Sequence, residues 1–462
     1  MKRKTIFIVV ELKVREFVAK ILFAYIATLR GYRVYLGSRE AIINLIKNKK
    51  FIGGIFFYKA GLQYKYCEEI DQKVDAHVVL DEEVAPGHNM DHYPKMINSF
   101  PITTKKFISR YFYINNKITK IVKKKFFKDK KKIITSGWPR VDIFTKKFSK
   151  IFDLDVKKIR KKYKKYYLFV SDFAYITKNY EQYAVEYLPW GIKKKEYETH
   201  KEWLVAFAKY NYEDFQNITL FLKNFAIKNK DIKILIRGHP ADNVEEWKRT
   251  INGVNNIKFL EPKDDIQPWI MASSGVLHRG CTTSLQAYAL KKPLGFLNLS
   301  KKKNYKDYLK KFTLKISSQI KNEKDLKKWM NKKHSQKFSE IVNKELNFPK
   351  DKLGSEKIID VLDKLEIIKE DKIIVKNQKE THLSDYIQHF YNIFKRKIFL
   401  GLVKSKIIRR NIDRFYLYPK LSNGINRNEA LYYLKQIDKN LEKKIILKKC
   451  KNNLICFENK LS

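Results

Sequence analysis

The sequence lacks the features that identify several protein classes directly. Its 462 residues include only four cysteines (Cys67, Cys281, Cys450 and Cys456), whose spacing does not resemble a disulfide framework, and no CxxC pair indicates zinc. No apolar run approaches the roughly 18 residues that span a membrane. The start, MKRKTIFIVVELK, is basic and then apolar, but its apolar part is too short for a signal peptide and has no small-residue cleavage site, so it predicts a first β-strand. We therefore expect a cytoplasmic protein without a metal or a bound cofactor.

Several catalytic and binding motifs are absent as well. The chain contains no GxxxxGK[ST] loop and no GxGxxG, which argues against kinases, other NTPases and dinucleotide-dependent enzymes. It has neither a GxSxG elbow nor an HExxH motif. There is no zinc finger, RNA-binding signature or basic region followed by heptads, so nucleic acid is not an expected partner.

Positive charge is what the chain has in excess. Lys and Arg total 98 against 49 Asp and Glu, which gives a formal net charge of +49. The chain is also rich in Ile, Asn, Tyr and Phe, so a genome biased toward A and T explains the same mixture without any partner. The alternative is attraction to an acidic glycan or to anionic lipid, which predicts peripheral attachment at the inner face of the cell membrane.

Apolar runs alternate with amphipathic stretches in two consecutive blocks, and the length predicts two or three domains. Strands that alternate with helices indicate βαβ units and parallel sheets. The predicted fold class is therefore α/β, with two Rossmann-like lobes at residues 1–145 and 146–365, whose ligands bind at the carboxyl ends of the strands. The predicted strands are Thr5–Val10, Arg33–Gly37, Ile55–Tyr58, Ala76–Leu80, Tyr111–Asn115 and Lys132–Ser136, then Tyr166–Ser171, Ile232–Ile236, Ile257–Leu260, Gly275–His278 and Leu294–Asn298.

The strand–helix alternation fades after about residue 365, and we predict a basic, mainly helical extension over residues 366–462. Within Ser384–Arg414, apolar residues recur at helical spacing among Lys and Arg: Ile387, Phe390, Phe394 and Ile398. A helix that lies on a membrane has this pattern. A helix that packs on the body with a solvated basic face has it too, so both interpretations stay open.

The densest group of candidate ligand-binding residues follows the predicted strand Gly275–His278. His278, Arg279 and Gly280 lead into CTTS, which opens a helix whose free N–H groups favour a phosphate. Gly280 permits close approach of the backbone. A single hydroxyl would suffice to cap the helix. Three in a row favour phosphate binding over capping alone: Thr282, Thr283 and Ser284.

The motif RGHP (Arg237–Pro240) ends another predicted strand and should therefore face the same cleft. Pro240 fixes the turn. His239 is then placed to hydrogen-bond a ligand, or to donate to a phosphate when protonated. A structural turn around a buried histidine is the alternative, and the nearby CTTS segment favours the ligand.

Charged residues also follow two strands of the first block. Carboxylates that repel one another raise at least one pKa, which suits a general base. A solvated acidic loop is the alternative. The carboxylates are Asp81, Glu82 and Glu83. A second charged group supplies candidate acceptor-binding residues, or simple surface ion pairs: Glu11, Arg15 and Glu16.

In this order, the motifs resemble the bacterial family of surface carbohydrate biosynthesis proteins. That family resembles GT-B glycosyltransferases, with two Rossmann-like lobes and no required metal. It is also similar to bacterial sialyl- and Kdo-transferases, which use CMP-activated acidic sugars. The matching stretches span about residues 5–300, and the last is the most specific: VVELKVRE (Val9–Glu16), RGYRVYLG (Arg30–Gly37), VVLDEE (Val78–Glu83), SGWPRVDIF (Ser136–Phe144), RGHP and HRGCTTSLQAYALKKP (His278–Pro293).

The resemblance implies a role for each matched motif. The catalytic carboxylate would be Asp81, Glu82 or Glu83. Val84 stands where the acidic motif is usually followed by glycine. Gln286 stands where the family more often has a glutamate, which in related folds binds ribose hydroxyls. The nucleotide and its phosphate would be held by His239 and Pro240, and by Thr282, Thr283 and Ser284, respectively.

We therefore expect an enzyme, a metal-independent GT-B-type glycosyltransferase. It would move a sugar from a nucleotide-activated donor, with a CMP-linked acidic sugar as a candidate, to a glycan or lipid-linked glycan of capsule or lipopolysaccharide. Arg237 or Arg279 would offset charge on the leaving phosphate. The alternatives are a teichoic-acid-type polyol-phosphate transferase or a nucleotide-sugar epimerase on the same scaffold, and a non-catalytic membrane-bound scaffold of polysaccharide assembly.

Overall fold

A computed structural model places the two predicted blocks in two α/β lobes, each built on its own sheet. The structure describes residues 4–48, 53–59, 64–82, 102–125, 129–173, 176, 178–187, 194–239, 242–299, 312–332, 347, 351–367, 424–451 and 453–460.

The first lobe contains six parallel strands in the order β2-β1-β3-β4-β5-β6. Strand β1 lies between β2 and β3 and is buried along its whole length. Burial on both faces explains why this segment reads as a continuous run of β-branched and aromatic residues rather than an alternating one. The strands are β1 (Thr5–Val10), β2 (Arg33–Ser38), β3 (Ile55–Lys59), β4 (Ala76–Asp81), β5 (Ile108–Tyr113) and β6 (Ile133–Thr135).

Helices cover the sheet of the first lobe, and the longest of them packs a broad apolar face against it. Phe17, Ile21 and Leu22 of this helix are all at most 1% exposed. Gly31 follows the helix with φ of +90°, a backbone conformation that glycine adopts at little cost. The helices are α1 (Lys13–Leu29), α2 (Arg39–Asn48), α3 (Tyr64–Asp71), α4 (Asn116–Lys125) and α5 (Pro139–Asp142).

The second lobe repeats the architecture with six parallel strands in the order β12-β11-β10-β7-β8-β9. Its strands are β7 (Tyr167–Val170), β8 (Ile234–Arg237), β9 (Ile257–Leu260), β10 (Val276–His278), β11 (Leu294–Leu297) and β12 (Ser318–Ile320). Its helices are α6 (Asp153–Tyr163), α7 (Tyr180–Tyr187), α8 (Lys194–Lys228), α9 (Val244–Ile251), α10 (Gln267–Ala272), α11 (Thr283–Ala289) and α12 (Glu323–Asn331). The predicted α/β fold class with two Rossmann-like lobes is confirmed.

The chain returns to the first lobe after the second sheet. Helix α13 (Gly354–Asp363) begins at the carboxylate of Asp142, whose two oxygens accept the backbone N–H groups of Gly354 at 2.9 Å and Ser355 at 2.8 Å. At the other end of α13, the hydroxyl of Tyr32 donates to Asp363 at 2.7 Å. A helix that follows the second sheet in sequence thus packs on the first lobe.

The described end of the chain adds both helices and strands to the first lobe. Helices α14 (Arg427–Ile437) and α15 (Leu441–Lys444) precede a hairpin of β13 (Ile445–Lys451) and β14 (Leu454–Asn459). Strand β14 pairs antiparallel with β2 and extends the first sheet to eight strands. The sequence did not predict this hairpin. The lobe boundaries at residues 145 and 365 stay a prediction.

The predicted basic amphipathic segment Ser384–Arg414 lies outside the described residues. Among the helices that the structure describes, none combines the length and the apolar character needed to cross a membrane.

Replacement of Asp142 with alanine should destabilise the protein, because it leaves two buried N–H groups of α13 without an acceptor. We expect a loss of about 2–4 kcal/mol of unfolding free energy, measured as a lower urea midpoint. Asp231→Ala at an exposed turn is the matched control and should change it by less than about 0.5 kcal/mol. Equal midpoints for the two variants would contradict this account of how the chain is fastened.

Candidate functional site

A cavity of about 280 Å³ lies between the two lobes. Each of its lining segments follows the carboxyl end of a parallel strand, where α/β sheets place their ligands. The first lobe contributes Val14, Arg15 and Arg140, and the second contributes Ser171, Asp172, Arg237, Gly238, His239, Pro262, Asp264, Ile266, Gln267, Cys281, Thr282, Thr283 and Gln286. Two motifs singled out from the sequence, RGHP and CTTS, therefore contribute to one cavity.

The start of α11 presents two hydroxyl-bearing residues to this cavity, Thr282 and Thr283. The chain enters the helix through Gly280, whose φ of +113° favours glycine. Thr282 stands at the N-cap position, yet its side chain makes no capping hydrogen bond. The alternative interpretation of Thr282 as a helix cap is therefore not what the structure shows.

Other residues of the same motif lie outside the cavity lining. The Ser284 hydroxyl is fully buried and donates to the carbonyl of Cys281 at 2.7 Å. His278 is also buried, with Nε2 2.8 Å from the Ser317 hydroxyl, and its Nδ1 accepts the N–H of Gly280 at 3.1 Å. Burial lowers the pKa of His278 to about 3, so the ring is neutral at physiological pH. These buried side chains stabilise the turn that leads into α11.

The Arg279 guanidinium takes part in a buried hydrogen-bond network and does not line the cavity. Its guanidinium donates to Asp172 at 2.6 Å, to Asn211 at 2.5 Å and to Asp214. It also stacks 3.9 Å above the ring of Phe173. Because Asp172 lines the cavity, Arg279 acts on the site by holding that carboxylate in place.

Arg237 lines the cavity, but most of its N–H donors already have partners within the second lobe. It is 3% exposed, donates to the carbonyl of Glu261 at 2.8 Å and to that of Asp264, and forms an ion pair of 2.7 Å with the Asp264 carboxylate. Burial lowers its pKa, although Asp264 and Asp265 act in the opposite direction. Most of its donors therefore hold the loop after β9.

His239 is positioned by a buried carboxylate three residues later in the chain. Its backbone N–H donates to Asp242 at 3.0 Å, and the same oxygen accepts the indole N–H of Trp247 at 2.9 Å. Burial raises the pKa of Asp242 to about 7, although hydrogen bonds from Ser171, His239 and Trp247 lower it. Pro240, the last residue of the motif, lies outside the described residues.

The imidazole of His239 joins the two lobes directly. Its Nε2 lies 2.5 Å from Nη2 of Arg15, in the first turn of α1. A guanidinium can only donate, so this nitrogen of the imidazole must accept. That requires a neutral ring with its proton on Nδ1. The contact spans the cavity from one lobe to the other.

The predicted catalytic carboxylates do not line the cavity. Asp81 is fully buried at the end of β4. Glu82 accepts hydrogen bonds from the indole of Trp138 at 3.1 Å and from Arg140 at 3.5 Å. It therefore contacts a residue that lines the cavity without reaching the cavity itself. Glu83 lies outside the described residues.

Of the three charged residues predicted to bind the acceptor, only Arg15 lines the cavity. Glu11 pairs with Arg39. Glu16 is 2% exposed and pairs with Lys20. Burial alone would raise the pKa of Glu16, but nearby Lys and Arg residues, with Lys20 foremost, lower it below its usual value. Both glutamates thus belong to ion pairs within the first lobe.

Gln286 lines the cavity in partnership with a residue that the sequence did not single out. Its side-chain oxygen accepts from the amide of Gln267 at 2.8 Å, and both side chains are buried.

Three further lining residues were not singled out from the sequence: Ser171, Asp172 and Arg140. Ser171 and Asp172 directly follow the apolar run of β7, so the rule that singled out RGHP and CTTS also applies to them.

A ligand at this site would meet mainly cationic and neutral donor groups. Arg15, Arg140 and Arg237 face two carboxylates, and each of these already pairs with an arginine. Within the described ranges, no group of three or more His, Cys, Asp or Glu side chains is arranged to hold a metal ion.

No protein-family model matches the chain, and no curated protein matches it in sequence. Solved structures with a similar fold include the UDP-GlcNAc 2-epimerase of Methanocaldococcus jannaschii, at 14% identity and a TM-score of 0.45, with 79% of this chain and 99% of that chain covered. The UDP-GlcNAc 2-epimerase of Neisseria meningitidis aligns at 11% identity, a TM-score of 0.45 and the same coverage. The wall teichoic acid polymerase TagF aligns at 13% identity and a TM-score of 0.40, covering 78% and 88%. Similarities at this level do not define an activity.

Asp242→Asn should flatten the dependence of stability on pH. Because the folded state raises the pKa of Asp242 to about 7, the folded protein binds its proton more tightly than the unfolded chain does. Stability therefore falls as pH rises from about 4 to about 7, by roughly 1.4 kcal/mol for each pH unit in that window. Melting temperatures at pH 5 and pH 7.5 should differ less in the variant. Identical pH dependence in both proteins would show that Asp242 does not titrate in this range.

Proposed function

We propose that the chain is a glycosyltransferase that binds a nucleotide-activated sugar between the lobes and transfers the sugar to a growing surface polysaccharide. One observation carries this proposal. His239 and Thr283, from separate segments of the second sheet, meet in one cavity with Arg15 of the first lobe. Imidazole, hydroxyl and guanidinium donors that converge in this way suit the phosphate of a nucleotide.

The contact between Arg15 and His239 marks where the phosphate would bind. Both groups become donors once His239 takes up a proton, so an anionic oxygen placed between them replaces their mutual hydrogen bond. The cavity of about 280 Å³ is slightly smaller than the roughly 300–1,000 Å³ of usual ligand pockets. Closure of the lobes around a bound donor would exclude water.

We assign the other roles in binding and transfer from the positions of residues in and next to the cavity. Thr282 and Thr283 donate to the leaving phosphate, and Gln286 with Gln267 offers amides to the nucleoside. Within the acidic segment Asp81–Glu83 we assign the general base to Glu83, because Asp81 is fully buried and Glu82 accepts from Trp138 and Arg140 outside the cavity lining. Arg15 would orient the acceptor or neutralise charge on the donor.

Thr283→Val and His239→Ala should each weaken nucleotide binding by about tenfold or more, because each removes a donor to the phosphate. Calorimetry with CMP, UDP and CDP measures the affinity, and melting without ligand measures the fold. Matched controls are Thr199→Val and His200→Ala, at exposed positions of α8. Variants that lose stability and affinity in parallel would mean that these positions are structural.

Incubation of the protein with CMP-, UDP- and CDP-linked donors should release nucleotide only when a glycan acceptor is present, because closed lobes exclude water. Chromatography of the products distinguishes the activities. Sugar transferred to the acceptor supports a glycosyltransferase, and transfer of a polyol phosphate supports a teichoic-acid-type enzyme. An altered sugar without an acceptor supports an epimerase. Binding to anionic vesicles without nucleotide affinity would favour a non-catalytic scaffold.

A further inference from the structure

The three arginines that line the cavity differ in how their donors are used. Arg237 donates to two carbonyls and pairs with Asp264. Arg15 contacts His239 across the cavity. Arg140 makes a single hydrogen bond within the described part of the chain, to Glu82, and its 3.5 Å length is well above the 2.7–2.9 Å of a strong charge-assisted bond.

Arg140 is nevertheless largely withdrawn from water. Its side chain is 11% exposed, and its Nε is buried without a hydrogen-bond partner among the described residues. A buried N–H donor without an acceptor costs free energy, and a bound anion would recover it. The ring centroid of Trp138 lies 5.4 Å from the guanidinium carbon and adds no acceptor for this donor.

The carboxylates around Arg140 do not fully neutralise the positive charge of its guanidinium. Glu16, which is near enough for Arg140 to lower its pKa, already pairs with Lys20. Asp265 faces Arg140 from the second lobe, and burial raises its pKa well above the usual value, which favours the neutral acid. Glu82 remains, at the long distance given above. The cavity side of the first lobe thus carries a positive charge that is only partly neutralised.

We propose that Arg140 binds a second anionic group of the nucleotide-activated substrate, distinct from the phosphate assigned to Thr283 and His239. This rests on the proposed function. The second anion is either the other phosphate of a nucleoside diphosphate or a carboxylate on the transferred sugar, and both present oxygen acceptors that suit a guanidinium. A substrate with two anionic groups would contact Arg140 in the first lobe and Thr283 and His239 in the second, so Arg140 favours such donors over those with one anionic group.

The test compares ligands that carry one anionic group with ligands that carry two. Calorimetry measures the affinity of the wild type and of Arg140→Gln for CMP against CDP, for UMP against UDP, and for CMP against a CMP-linked acidic sugar. We expect the wild type to prefer, in at least one pair, the ligand with two anionic groups by about tenfold or more. Arg140→Gln should lose that preference and keep its affinity for the monophosphate within about twofold. Arg140→Lys should recover part of the preference, because it restores the charge without the planar fork.

The ligand pair whose preference Arg140→Gln abolishes identifies the source of the second anion. Arg249→Gln, at an exposed ion pair on α9, is the matched control and should leave all affinities unchanged. Melting of the unliganded variants checks that loss of the Glu82 contact has not unfolded the first lobe. A wild type without any preference, an unchanged preference in Arg140→Gln, or an equal loss for both members of every pair would overturn the inference. A wild type that binds no nucleotide at all would instead overturn the proposed function, and this inference with it.

Discussion

Parallel pairing of the strands is the constraint on which the cavity depends. In a parallel sheet every strand ends at the same edge, so the loops that follow the strands gather there. The two lobes turn these edges toward each other. Residues as distant in sequence as Val14 and Gln286 therefore line the same space. An antiparallel arrangement would have distributed the same loops over both edges of each sheet.

Buried charges keep these loops in place. Arg279 is held by Asp172 and Asp214, and Arg237 by Asp264 and two carbonyls. Breaking a buried pair by removing one partner is costly, because it leaves a charge without compensation. Both arginines looked like ligand-binding residues in the sequence. Arg279 points away from the cavity, and Arg237 lines it with most of its donors already used, so side-chain direction and partners separate them from residues that are available to a ligand.

The sequence predicted the parallel strands except β12, because strands buried on both faces read as apolar runs and β12 is largely exposed. Thr5–Val10 and Ile257–Leu260 were predicted with the bounds that the structure has. The terminal hairpin was missed because IILKKCK, the sequence of β13, combines apolar and lysine residues, as an edge strand does. Pairing of β14 with β2 joins segments more than 400 residues apart, which no local pattern encodes.

The candidate site was predictable in part for the same reason. Thr282, Thr283 and His239 follow strands of one sheet, and strand order alone brings them to one edge. Arg140 lies in the matched stretch SGWPRVDIF but had no predicted role, because its role depends on the opposite lobe. Ser284 was assigned to the phosphate although its hydroxyl donates to Cys281. The orientation of neighbouring side chains in a helix start depends on backbone angles that the sequence does not display.

A structure of the protein with bound nucleotide would test the central claim most directly. The account predicts that a phosphate of CMP, UDP or CDP lies within hydrogen-bonding distance of both the His239 imidazole and the Thr283 hydroxyl, in place of the contact between His239 and Arg15. A nucleotide bound outside the cavity, or inside it with the Arg15–His239 contact intact and no phosphate near Thr283, would contradict it.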